Sequence, residues 1–185
     1  MRNAICILAA IALAGCSSFG SATRPDNRAN VLLAEGFIDA FYSFDSSRLK
    51  RTLTFAEKSK PQIVYYQGWA EGGNYKIVNR MPCNAKSAQE VTCAITVKDD
   101  LVIALGIPFD VTDTFHISLR KGKIRTVTNS SNDPKIYHDA QKWVKRERPE
   151  LIRVPCEGFF NGGPTPGKCA QAMARGYAEF AARGT

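Results

Sequence analysis

Histidine is scarce in this chain, and Cys-x-x-Cys pairs, internal repeats and apolar runs of bilayer length are missing. Two histidines among 185 residues leave little for a metal centre, and zinc frameworks built on closely spaced cysteine pairs are excluded. No Gly-x-Ser-x-Gly occurs, so the nucleophile elbow of hydrolases has no counterpart. The apolar run from Ala4 to Ala12 is too short to cross a bilayer as a mature helix. What is there is a globular balance, 44% apolar and 23% charged, at a length suited to one domain of ordinary size.

Met1, Arg2 and Asn3 give the short apolar run a charged start, and Leu13-Ala14-Gly15-Cys16 closes it with small residues before a cleavage point. The tetrapeptide resembles the lipobox of bacterial lipoproteins. That resemblance implies a signal peptide over residues 1–15, removed after a diacylglyceryl group has been attached to the Cys16 thiol. Several acyl chains anchor a protein stably where a single chain is marginal. Ser17, in place of Asp, resembles the enterobacterial outer-membrane pattern. The expected location is the bacterial cell envelope, lipid-anchored at the outer membrane and facing the periplasm. Residues 16–29, polar and irregular with Gly20, Pro25 and Asn27, read as a lipidated tether.

In that compartment the cysteine count changes meaning. Of six cysteines, Cys6 leaves with the leader and Cys16 takes lipid, so Cys83, Cys93, Cys156 and Cys169 remain. An even number in an oxidising envelope reads as two disulfides, with about three connectivities open. Proximity favours Cys83 with Cys93 and Cys156 with Cys169, each pair bracketing a turn-rich stretch. In the chain-entropy model a loop of about 15 residues contributes roughly 3 kcal/mol. No metal and no cofactor is expected.

The formal charge of +8 falls by one when Arg2 is cleaved away. Arg120, Lys121, Lys123 and Arg125 form one basic cluster, and Lys142, Lys145, Arg146, Arg148 and Arg153 form another. Clustered charge attracts anionic partners, which in an envelope are phospholipid headgroups, lipopolysaccharide or cell-wall polymer. Nucleic acid is excluded by compartment.

From Val31 the apolar positions Leu33, Ala34, Phe37, Ile38, Phe41 and Phe44 recur at helical spacing. Asp45-Ser46-Ser47 offers a cap for a short second helix through Leu53, and Pro61 opens a third that carries Ile63, Val64, Tyr66 and Trp69 to Gly72-Gly73. After those glycines the period changes. Tyr75 to Asn79, Val91 to Lys98, Leu101 to Pro108, Phe109 to Arg120 and Lys123 to Asn129 read as strands, with Asp99-Asp100 and Lys121-Gly122 as hairpin turns. Asp133-Pro134 is expected to cap a helix striped by Ile136, Ala140, Trp143 and Val144. Thr165-Pro166 opens a last helix striped by Ala170, Met173, Ala174, Tyr177 and Phe180. Before it, Gly162-Gly163-Pro164-Thr165-Pro166-Gly167-Lys168 shares the closing Gly-Lys of phosphate-binding loops. Cys169 replaces the required hydroxyl, two prolines remove N–H donors and no strand precedes it, so nucleotide binding is disfavoured. Helices followed by an antiparallel meander predict an α+β fold: N-terminal helices packed on a curved antiparallel sheet over residues 30–132, with a helical, disulfide-stapled extension over residues 133–185.

The third helix is written Tyr65-Tyr66-Gln67-Gly68-Trp69-Ala70-Glu71-Gly72-Gly73, and the last hairpin reads Phe115-His116-Ile117-Ser118-Leu119-Arg120-Lys121-Gly122-Lys123-Ile124. With the preceding helix and short helix, this order resembles the nuclear transport factor 2 superfamily, also called SnoaL-like. The resemblance covers roughly Asn30 to Asn132. It implies a cone of helices on a bent sheet whose open end is a ligand pocket, with Phe37, Phe41, Tyr66, Trp69, Asp113 and Phe115 as candidate pocket residues. The family includes isomerases, cyclases, dehydratases and domains without chemistry, so the fold does not choose among them.

Along Phe109 to Leu119 the odd positions are apolar except for Asp113, which therefore shares the inward face. A carboxylate there costs energy unless paired, and a raised pKa would suit a general base. A bulge turning it outward, or a structural partner, would leave it no chemical role. His116 lies an odd number of residues away and falls on the opposite face, so no Asp–His dyad forms without a bulge. His138 falls off its helix stripe. Tyr65, Tyr66, Trp69 and Tyr75 either line a cavity or fill a core. Two functions remain. One is an envelope-anchored, non-catalytic domain that binds a small apolar ligand or an envelope protein partner. The other is a small pocket enzyme doing proton-transfer chemistry, of isomerase, dehydratase or cyclase type, with Asp113 as catalytic base. The missing dyad and nucleophile motif favour the first, and either is compatible with a dimer.

Overall fold

A computed structural model describes residues 27–184; the leader, Cys16 and the tether up to residue 26 lie outside the described residues. Helix α1 (Arg28–Phe41) starts ahead of Val31 and buries Ala34, Phe37, Ile38, Ala40 and Phe41. Asp45 caps α2 (Ser46–Thr52), its Oδ1 accepting from the Ser47 and Arg48 amides at 2.9 and 3.0 Å. Helix α3 (Lys60–Gly72) has Pro61 in its first turn and buries Tyr65, Tyr66, Trp69 and the polar Gln67. Burying an amide is costly unless it is bonded. The Gln67 Nε2 donates to the Ala40 and Phe41 carbonyls at 3.0 and 2.8 Å. Both carbonyls lie at the end of α1, where they also accept from the Ser43 hydroxyl and the Phe44 amide, so one side chain ties α3 to α1 and is itself satisfied.

Strands β1 (Lys76–Arg80), β2 (Asn84–Ala85), β3 (Glu90–Lys98), β4 (Val111–Leu119) and β5 (Ile124–Ser131) form one antiparallel sheet. Its order is β1-β3-β4-β5, with β2 also paired to β3. Alternation on β3 and β4 sends Val91, Cys93, Ile95 and Val97, and Val111, Asp113, Phe115, Ile117 and Leu119, to the buried face. Register shifts at Ile77–Asn79 and Ser118–Leu119 bend the sheet at its flanks.

The expected strand Leu101–Pro108 is instead a short helix, α4 (Asp100–Ala104), and Asp99-Asp100 is no hairpin turn. Asp99 caps α4, its Oδ1 accepting from the Val102 amide at 2.8 Å. An apolar run of this length fits a buried strand or a buried helix equally, and here the cap decides.

Helices α5 (Lys135–Glu147), α6 (Pro149–Ile152) and α7 (Pro166–Ala181) complete the chain, with α7 packed on α3, α4 and α5. Asp133 does not cap α5: Pro134 occupies the cap position and no side chain bonds the first amides. Ile136 is exposed, and Tyr137 takes the inward place with Ala140 and Val144. The stretch from Gly162 to Lys168 serves packing. A Cβ on Gly72 would meet the Gly167 backbone at 2.2 Å, and one on Gly68 the Pro166 ring at 2.5 Å, so α3 and α7 cross almost backbone to backbone. Disulfides join Cys83 to Cys93 and Cys156 to Cys169, with Cα atoms 4.3 and 4.6 Å apart. The first ties the segment after β1 to β3; the second closes the α6–α7 loop onto α7. No helix among the described residues is long and apolar enough to cross a membrane.

Candidate functional site

The candidate pocket residues separate into two groups. Phe37, Phe41 and Phe115 are fully buried and in ring contact, Phe115 lying 5.5 Å from Phe37 and 4.9 Å from Phe41 between centroids. They fill the interior instead of lining a void, because the inward stripe of α1 and the inward face of β4 converge on one point. Tyr66 and Trp69 do line a cavity, of about 120 Å³.

That cavity lies between α3, the residue before β1, the end of β5, the start of α5 and the α6–α7 loop. Its aromatic walls are Tyr66, Trp69, Tyr75, Tyr137, Phe159 and Phe160. Asn129, Ser131, Asp133 and Gln141 supply the polar ones. Phe159 and Phe160 sit in the loop closed by Cys156–Cys169 and pack down on α3: Phe160 lies 5.5 Å and Phe159 5.4 Å from the Trp69 ring, with Phe160 also 5.2 Å from Tyr65. Phe160 holds a left-handed backbone, φ 52°, to reach this position. The tail thereby covers the open side of the interior.

Asp113 points inward as alternation predicts and is 0% exposed, on a strand paired to both neighbours. Among the described residues no donor reaches either carboxylate oxygen at hydrogen-bond geometry. Burial pushes its pKa up to about 7, and the charges of Asp133 and Asp99 push the same way. The Tyr66 and Tyr42 hydroxyls pull it back only in part. Asp99, with one oxygen on α4 and the other unpartnered, is raised to about 6, chiefly by burial. Asp133 is also raised by burial, offset in part by the Ser131 hydroxyl and the His138 charge. Tyr66, Tyr75 and Tyr137, buried among these carboxyls, hold their protons well above the ordinary tyrosine range, first through burial. Asp113 itself does not line the cavity; Tyr66 does, and its hydroxyl approaches Asp113.

His116 lies on the other face of β4 with its Nε2 3.4 Å from the Ser130 hydroxyl, so Asp113 and His116 form no dyad. His138 is exposed on α5. Among the described residues no cluster of His, Cys, Asp or Glu is arranged to hold a metal ion. No protein-family model, curated protein or solved structure matches this chain.

Outside, a groove of about 500 Å³ runs between α1, α2 and the β4–β5 hairpin. Leu32, Leu33 and Phe55 are exposed there beside Arg48, Arg51 and Lys123, and among the described residues no carboxylate lines it. The Lys123 ammonium stands 3.9 Å and the Arg125 guanidinium 5.6 Å from the Phe55 ring centroid. The second basic cluster is different, since Arg146 pairs with Glu147 at 2.5 Å and Arg148 with Glu150 at 3.3 Å and with Glu179.

Sequence reasoning missed Asp133, Tyr137, Gln141 and the Phe159-Phe160 pair. The pair had a readable signal: two adjacent phenylalanines inside a short cysteine-closed loop must be covered by something. Asp133 had none, because its Asp-Pro context points to a helix cap.

Proposed function

We propose that the chain is a lipid-anchored, non-catalytic binding protein of the bacterial envelope, attached through Cys16 to the outer membrane and facing the periplasm. Its binding site is the cavity beneath Phe159 and Phe160. The observation carrying this reading is the cavity itself: a void with an aromatic wall, a few convergent polar groups and a cover held by a disulfide. The order of helices and bent antiparallel sheet supports the likeness to the nuclear transport factor 2 superfamily, in which such an interior holds ligands. The basic groove beside the start of α1, at the end of the chain that leads to Cys16, supports contact with anionic headgroups.

Binding is tested by titrating small fragments into the full chain and following NMR shifts of residues around Tyr75, Tyr137 and Phe160. Ser131→Leu, which fills the void, is expected to abolish those shifts; shifts that persist unchanged would exclude the cavity. Anchoring is tested by fatty-acid labelling, which is expected in the wild type and lost in Cys16→Ser.

A second reading, a proton-transfer enzyme with Asp113 as base, is favoured by the near-neutral pKa of that carboxyl and by Tyr66, which touches both Asp113's surroundings and the cavity. It ranks second because Asp113 does not reach the void. Undiminished turnover of an identified substrate by Asp113→Asn would rule it out.

A further inference from the structure

Resting on the reading of the cavity as a binding site, we infer its ligand class: a small organic cation, a methylated ammonium group held among aromatic rings with Asp133 as its counter-charge. Cation–π attraction needs rings on more than one side, a desolvated setting and no competing positive charge. The cavity offers rings on several sides, with Tyr66, Trp69, Tyr75 and Tyr137 buried and Asp133 half-buried, and among the described residues no cationic side chain on its wall. Tyr66 and Tyr75 stand at 88° to one another, Trp69 and Phe159 at 75°, and Phe159 and Phe160 at 90°, so the walls turn corners. Among the described residues no lysine, arginine or histidine lines the void, and Asp133 is the one charged side chain on its wall. Asp99 and Asp113 are buried close behind, where burial holds back their ionisation and leaves Asp133 as the counter-charge nearest the void.

Size and donor type narrow the class. About 120 Å³ is far below the roughly 300 Å³ at which drug-sized pockets begin, and matches about four water volumes, room for a group of about five heavy atoms. Hard metal cations need shells of oxygen ligands, whereas these walls are mostly rings. A neutral group of the same shape would fill the space but leave the Asp133 carboxylate with only the Ser131 hydroxyl and the His138 side chain to offset its burial. Phe159 already carries a cation at its edge of the molecule: the Lys145 ammonium stands 5.0 Å from its centroid, in a neighbouring depression.

The test titrates the full chain with choline and, separately, with its neutral isostere 3,3-dimethyl-1-butanol, at constant ionic strength, following NMR shifts of the cavity residues. Choline is expected to bind at least about tenfold tighter than the isostere. Asp133→Asn should reduce that preference by several fold while leaving the isostere unaffected, and Trp69→Leu should weaken choline by about tenfold. Equal affinity for the two probes would overturn the cation assignment and leave the binding reading standing. Failure of both probes, together with every other fragment, would overturn both. Should Asp133→Asn fail to fold, the comparison of the two probes on the wild type still decides. Gln141→Ala, which removes a polar wall without touching charge, should retain the preference; its loss there would also count against Asp133 as the counter-charge.

Discussion

The interior and the outer groove of this molecule have opposite sign and opposite architecture. Inside, Asp99, Asp113 and Asp133 sit among tyrosines and phenylalanines with no cationic side chain on the cavity wall. Outside, Arg48, Arg51, Lys123 and Arg125 surround one exposed phenylalanine, with no carboxylate among the described residues of the wall. Net charge therefore describes only the surface. A +8 chain can carry a basic groove outside and a cluster of carboxyls within, because solvent screens the outer charges while burial governs how far the inner groups ionise.

The largest effect is expected from the aromatic interior. Phe115→Ala removes the ring on which Phe37 and Phe41 converge and should cost about 3–5 kcal/mol in denaturant unfolding. Phe55→Ala, the same change in the groove, should stay within about 0.5 kcal/mol. Similar losses at both sites would erase the contrast.

Next comes Asp113. Its folded pKa of about 7 lies above the ordinary 3.8, so the native state keeps the proton longer than the unfolded chain. Its contribution is intact below about pH 4 and is lost as pH rises through 7. Asp113→Asn should therefore gain stability relative to the wild type between pH 4 and pH 8, by at most about 4 kcal/mol. Thermal melts of both proteins across that range give the difference, and a gap independent of pH would mean the carboxyl is solvated or paired.

Opening the cover is a smaller perturbation. Replacing Cys156 and Cys169 by alanine should cost roughly 3 kcal/mol and weaken ligand retention in the cavity, read from dissociation rates. The least effect on the fold belongs to the groove. In a chain carrying Cys16→Ser, Arg48→Glu with Lys123→Glu should leave unfolding within about 0.5 kcal/mol. The same pair should lower the preference for vesicles containing phosphatidylglycerol over phosphatidylcholine by at least about tenfold, at about 1 kcal/mol for each basic residue near the surface. Vesicle binding unchanged by these substitutions would assign the groove another partner.

Much of the scaffold was legible because its signals are local. Asp45 is a side chain two and three residues from the amides it caps, the β4 alternation predicts an inward Asp113, and both disulfides close short loops. What was not legible depends on distant partners. Leu101 to Ala104 reads as a strand until Asp99 is seen to cap it. Gln67 looks like a solvated residue until the carbonyls at the end of α1, more than 25 positions away, are seen to accept from its buried amide. Phe37 and Phe41 were correctly placed inside, but whether two rings border a void or fill it depends on the size and aim of Phe115, which periodicity does not encode.

The crossing of α3 and α7 at Gly72 and Gly167 has a consequence for selectivity. With no side chain between the two backbones, the spacing of these helices is fixed at its minimum, and from that crossing the chain runs back to the loop that carries Phe159 and Phe160. The roof over the cavity is thus hung from main chain on one side and from a sulfur–sulfur bond on the other. Repacking of neighbouring side chains leaves such a roof at the same height, so under the proposed binding role ligand size would be gauged by the backbone and ligand charge by Asp133, two criteria that substitutions can alter one at a time.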